Sequence, residues 1–152
     1  MDSQALYEEL LRLATNYRWT WTPSSRNLLM SLPGADPARH PLEAVSGLSE
    51  EQVKALLDDD EFMSRLIKES AGLDEVLIES PPTIAYCSPE FGISAFAHQY
   101  AGGLGVLAGD FLKAASDSGL ALAGVGLFYH QGAFHQMIED GEQGEIFTTV
   151  QP

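Results

Sequence analysis

Apolar residues recur at helical spacing through the first half of the chain. Leu6, Leu10 and Leu13 form one stripe and predict a helix over residues 2–14, with Ser3 as a candidate cap. Residues 24–32 predict a second helix, which Pro33-Gly34 stops. Residues 36–41 are polar, carry two prolines and read as a loop. From 48 to 71 the helical pattern is strongest, with Val53, Leu56, Leu57, Phe62, Leu66 and Ile67 on its apolar stripe. Ser49 and Gln52 have capping-box spacing. Asp58-Asp59-Asp60 interrupts this stretch, because aspartate is a poor helix former, so two helices are expected, the second starting near Asp60.

Beyond residues 72–82, which contain Pro81-Pro82, the period changes. Residues 83–88 (TIAYCS) and 120–129 (LALAGVGLFY) are short apolar runs that predict buried strands. Between them a Gly-rich turn opens a helix whose Leu107, Phe111, Leu112 and Ala115 share a face and which Gly119 terminates. Strand, helical crossover and strand make a βαβ unit, parallel and right-handed. Residues 134–138 and 145–150 have the pattern of a further hairpin. The reading is therefore α/β, with a helical segment over 1–75 and the start of a second domain over 76–152. Two or three parallel strands make a marginal sheet, so the chain reads as the front of something larger.

Composition narrows the partners. The chain has 152 residues and a formal net charge of -14. That charge repels phosphate backbones and anionic bilayers and argues against nucleic-acid or membrane binding. A neutral, sugar-like partner or a basic one fits better. The single cysteine, Cys87, excludes a disulfide framework. With no signal-like N-terminus and no membrane-length apolar run, a cytoplasmic location is expected.

Candidate chemistry concentrates around Tyr100–Gln136 (YAGGLGVLAGDFLKAASDSGLALAGVGLFYHQGAFHQ). Gly102, Gly103, Leu104 and Gly105 place backbone N–H groups at a helix start, where a phosphate or a sugar hydroxyl can sit. The same glycines also suit a tight turn packed under a sheet. Glu90, in SPEFG, follows a strand at the end where α/β sheets bind ligands, though a solvated loop carboxylate has the same sequence signature. His130 and His135 lack metal-ligand spacing, and His98 precedes the glycine turn. Cys87 lies within a predicted strand and reads as a buried thiol. Trp19 and Trp21 read as core or interface aromatics, with a sugar-stacking platform as the alternative.

SPEFG, YAGGLGVLAGDFLKAASDSG and GVGLFYHQGAFHQ resemble three successive segments of α-glucan (glycogen, starch or maltodextrin) phosphorylases, in the family's order and at plausible spacing. Upstream, NYRWTWTP and LSEEQVKALLDDDEFMSRL resemble the bacterial and archaeal branch, so the resemblance covers nearly the whole chain. It departs at Pro89, Ala101, Ala133, His98-Gln99 and Glu142. The resemblance implies an incomplete Rossmann-like domain of a GT-B glycosyltransferase. It also implies a reaction in which inorganic phosphate releases glucose 1-phosphate from an α-1,4-glucan, assisted by pyridoxal phosphate. Glu90 and Gly102, Gly103, Leu104 and Gly105 are then the substrate- and phosphate-site residues. The lysine that holds the cofactor in the family has no counterpart here, so a missing C-terminal part or a companion chain is expected to supply it. Alone, the chain is expected to be inactive. A glucan-binding or regulatory module, and the N-terminal domain of a glycogen- or starch-synthase-like enzyme, are the competing readings.

Overall fold

The computed structural model describes residues 1–77, 80–97, 99–127 and 131–149. They form two compact units, Met1–Leu77 and Ile78–Pro152.

The first unit is helical: α1 (Ser3–Thr15), a 3-10 turn (Tyr17–Thr20), α2 (Pro23–Met30), α3 (Pro41–Ser46), α4 (Glu50–Leu57) and α5 (Asp60–Asp74). The α1 cap is Asp2 rather than Ser3; its carboxylate accepts the Ala5 N–H at 2.9 Å. The three-aspartate break has a local cause. Asp58 ends α4, and Asp59 caps α5 by accepting the N–H groups of Glu61 and Phe62. The capping box of α4 closes in both directions between Ser49 and Gln52. Helix α3 falls where the sequence pattern gave only a loop and its sequel. Pro41 sits in its first turn, and His40 caps it by accepting the Leu42 N–H at 3.2 Å.

Leu6, Leu10, Leu28, Leu29, Val45 and Leu66 are fully buried at the centre of this unit. Trp19 belongs to the same core. It is 4% exposed, donates its indole N–H to the Ala14 carbonyl at 3.1 Å and meets the His40 ring edge-on. Its buried ring has no face left for stacking a sugar. Arg12 joins Glu9 on α1 to Asp74 on α5, with contacts of 2.6 and 2.7 Å.

In the second unit, β1 (Ile84–Cys87) and β2 (Leu122–Val125) pair in parallel, Ile84 opposite Leu122 and Cys87 opposite Val125. Helix α6 (Gly102–Asp117) joins them, so the βαβ unit is present. At its end Gly119 (φ 63°) bonds back to Ser116 and Leu120 to Ala115, the two bonds of a Schellman cap. The hairpin is β3 (Gln131–Glu139) with β4 (Glu142–Thr149), turned at Asp140 and Gly141, both at positive φ. That is the type I′ geometry an Asp-Gly pair favours. The end of the second apolar run, Phe128 and Tyr129, lies outside the described residues.

Two expectations fail here. The parallel strands are not buried: Ile84 is 45% and Val125 51% exposed, and the Cys87 thiol is exposed. Parallel sheets bury their strands only when both faces are covered, and among the described residues these two strands have a single crossover helix. The inward face of α6 also differs. Gly105, Ala108, Gly109 and Ala115 are buried, while Leu107 and Phe111 are 67% and 46% exposed. Small residues let the loop after β1 lie close on the helix. Of the predicted face Leu107 is exposed, whereas Ala115 is buried, Leu112 is half-buried against Gly124 of β2, and the Phe111 ring lies 4.7 Å from that of Tyr86 on β1. No helix among the described residues is long and apolar enough to cross a membrane.

Candidate functional site

The site is built on the segment that follows β1. Ser88 continues the sheet by donating its N–H to the Val125 carbonyl at 3.1 Å, and its hydroxyl donates to the Glu90 carbonyl at 2.8 Å. Phe91 is 6% exposed and packs edge-on against Tyr86. A Cβ on Gly126 would meet the Phe91 ring at 2.9 Å. Gly92 then donates its N–H to the Gly105 carbonyl of α6 at 2.7 Å. Apolar burial and three hydrogen bonds thus fix five residues of loop.

Two glycines of α6 make this approach possible. A Cβ on Gly109 would lie 2.2 Å from the Gly92 oxygen, and one on Gly105 would lie 2.4 Å from the Tyr100 Cβ and 3.2 Å from the Glu90 Cδ. Both are packing glycines. Gly102 and Gly103 are different: a Cβ at either meets nothing within 4 Å, and Gly102 has φ 73°. The turn of α6 therefore splits by role. Gly102, Gly103 and Leu104 are exposed at the helix start, whereas Gly105 is buried beneath Tyr100 and Glu90. Gly109, which the sequence reading passed over, carried a signal in retrospect: a glycine inside an apolar helix marks close backbone approach.

Ala101 is the N-cap of α6 and has no capping side chain of its own. Glu90 supplies one from the preceding loop. Its Oε2 accepts the Ala101 N–H at 2.5 Å. An α-helix leaves its first four N–H groups without intrahelical acceptors; Glu90 takes one, and those of Gly102, Gly103 and Leu104 remain at the exposed turn.

At the carboxyl ends of β1 and β2 is an open hollow of about 350 Å³. Cys87, Ser88, Pro89, Val125, Gly126 and Leu127 line it. Open α/β sheets bind ligands at this end of their strands. His98 and His130 lie outside the described residues. His135 stands on exposed β3 opposite Ile146. No group of metal-ligating side chains is found among the described residues.

These residues do not by themselves fit pyridoxal phosphate. Lys113 is the one lysine or arginine between residues 78 and 152. It lies eleven residues along α6 from Gly102, about 16 Å at helical rise, and faces Asp110 at 3.4 Å. The turn offers backbone donors but no amine and no cationic side chain.

Comparison with known proteins places these features in a wider sequence context. Glycogen phosphorylase of Mycobacterium tuberculosis (strain CDC 1551 / Oshkosh) is 34% identical across 93% of this chain and 19% of its own length. Maltodextrin phosphorylase of Thermococcus litoralis is 34% identical across 95% of the chain and 19% of its own length. Glycogen phosphorylase of Aquifex aeolicus is 34% identical across 96% and 22%. The chain thus spans about a fifth of the length of the curated relatives it matches. No solved structure matches it. The family model described as a protein of unknown function (DUF3417) matches residues 4–96, so the chain belongs to that family, in a stretch similar to the N-terminal part of bacterial and archaeal α-glucan phosphorylases.

Proposed function

We propose that this chain forms the N-terminal part of an α-glucan phosphorylase of GT-B architecture. The whole enzyme transfers a terminal glucosyl unit from an α-1,4-glucan to inorganic phosphate and releases glucose 1-phosphate. The observation that carries this reading is a conjunction: 34% identity to named phosphorylases along nearly the whole chain, and a glycine turn in that stretch whose open N–H groups suit anionic or hydroxyl oxygens. The residues assigned to the glucose and phosphate site are Gly102, Gly103 and Leu104, with Glu90 and Gly105 beneath them. Pyridoxal phosphate supplies phosphate-group chemistry to the whole enzyme from a lysine outside this chain. On this reading the chain alone does not perform phosphorolysis, because among the described residues near the turn there is no lysine to hold that cofactor. One cysteine, with its thiol exposed, fits a reducing cytoplasmic setting.

A chimera tests this. The chain replaces the matching segment of the Mycobacterium tuberculosis relative, and phosphate-dependent release of glucose 1-phosphate from glycogen is assayed. An active chimera is expected. A chimera that folds, retains the cofactor and releases no glucose 1-phosphate would sink the reading.

A further inference from the structure

We infer that Glu90 is a positioning residue, whose carboxylate latches the loop after β1 onto the start of α6 and so fixes the Gly102–Leu104 turn. The inference rests on the phosphorylase reading for its biological meaning and on geometry for its substance. Two bonds make the latch. The Gly92 N–H reaches the Gly105 carbonyl at 2.7 Å, and the Ala101 N–H reaches Glu90 Oε2 at 2.5 Å. They run in opposite senses: the loop donates to the helix in one, and the helix start donates to the loop in the other. Together they resist both sliding and rotation of the turn.

The packing agrees. The Glu90 carboxyl carbon lies 3.2 Å from where a Gly105 Cβ would stand, so the missing methyl is the seat of the carboxylate. Tyr100 closes the other side, with its ring at 3.1 Å from a Cβ on Gly92. Gly109 lets the Gly92 backbone lie directly on the helix.

The latch also explains how the turn survives without a cap of its own. Gly102 is at φ 73°, a region glycine enters without cost but does not prefer. Ala101 lacks a polar side chain, and an N-cap without one costs about 1 kcal/mol of helix stability. A carboxylate at a helix start is favoured by the helix dipole as well as by the hydrogen bond. Glu90 therefore acts on ligand-facing atoms through Ala101 and Gly102 rather than by touching a ligand itself.

The test uses the 152-residue chain and amide NMR with hydrogen exchange. In the unmodified chain the Ala101 amide should be protected from exchange although the residue is exposed. Glu90→Gln, which keeps an acceptor oxygen, should leave Ala101 protection and the Gly102–Leu104 resonances near their native values. Glu90→Ala should speed Ala101 exchange by about tenfold or more and move those three resonances. An Ala101 amide that exchanges freely in the unmodified chain, or one equally protected in Glu90→Ala, overturns the latch. If Glu90→Ala does not fold, Ala101 protection in the unmodified chain and in Glu90→Gln decides the question. None of these readouts depends on phosphorolysis, so an inactive chimera would remove the enzymatic reading and leave the latch standing.

Discussion

At the scale of single residues, the four glycines between Gly102 and Gly109 do different work, and substitution separates them. A Gly109 Cβ would lie inside the Gly92 backbone, at 2.2 Å from its oxygen and 2.4 Å from its carbonyl carbon. Two backbones would have to part to admit it, so Gly109→Ala is expected to destabilise the second unit by about 1–3 kcal/mol, the usual cost of overpacking. Gly103 has open space, and alanine is the better helix former. Gly103→Ala should therefore be neutral or stabilise by up to about 1 kcal/mol in urea unfolding. In the phosphorylase chimera the same methyl would stand where a ligand approaches the backbone, and turnover is expected to fall although stability does not. Equal stability losses for the two variants would show that the turn is packed after all. The sequence alone could not have made this division. GGLGVLAGD displays a glycine-rich helix start, but the roles of its glycines depend on a partner loop ten or more residues upstream, which local spacing does not record.

At the scale of elements, side-chain caps define the ends of the helical unit, and one of them is a histidine, which changes charge near neutral pH. His40 accepts the Leu42 N–H through Nδ1, so that nitrogen must be unprotonated to cap α3. Burial pushes the His40 pKa below its ordinary value, and the charge of Glu43 only partly restores it. A histidine whose folded pKa is depressed contributes stability above its unfolded pKa, near 6.5, and that stability is lost as pH falls through the folded value. Urea midpoints should therefore drop between about pH 7.5 and about pH 5.5, and His40→Asn, a cap that does not titrate, should flatten the drop. Equal slopes in the two proteins would refute this. Glu9 acts in a lower window. Burial raises its pKa, but the hydrogen bonds from Arg12 and the Arg12 charge prevail and hold it below its ordinary value. Its contribution therefore fades only in stronger acid. Ser49→Ala removes half of the α4 capping box and should cost about 1 kcal/mol by the same assay. Such caps were legible in the sequence where they obey local rules, as at Ser49-Gln52 and across Asp58–Asp60. Helix α3 was not, because its apolar residues are few and its cap is a histidine, a type that the usual signals omit. The buried face of α6 is only partly legible for a related reason: the periodicity finds Leu112 and Ala115, which pack, but bulky residues dominate such a count, and Gly105, Ala108 and Gly109 pack there too.

At the scale of the whole chain, apolar burial is uneven. Of the eighteen buried apolar side chains among the described residues, fifteen lie in Met1–Leu77, and Phe91, Ala108 and Ala115 alone lie beyond it. The large exposed apolar side chains show the reverse distribution, with Ile84, Leu104, Leu107, Phe111, Val125, Phe134, Ile138 and Ile146 all in the second unit. Stability follows burial, so local opening should cost least after Leu77. Limited proteolysis can read this, provided that the protease suits the composition. Lys113 is the sole lysine or arginine from 78 to 152, so trypsin would spare the second unit for lack of sites rather than through stability. Chymotrypsin or thermolysin, which cut at the apolar and aromatic residues exposed there, should cleave first beyond Leu77 and leave a resistant fragment containing α1–α5. First cuts inside α1–α5, with residues 84–125 intact, would reverse the assignment. That outcome would make the glycine-rich βαβ unit the stable body of the chain, despite a core among the described residues that rests largely on Phe91 and the small face of α6.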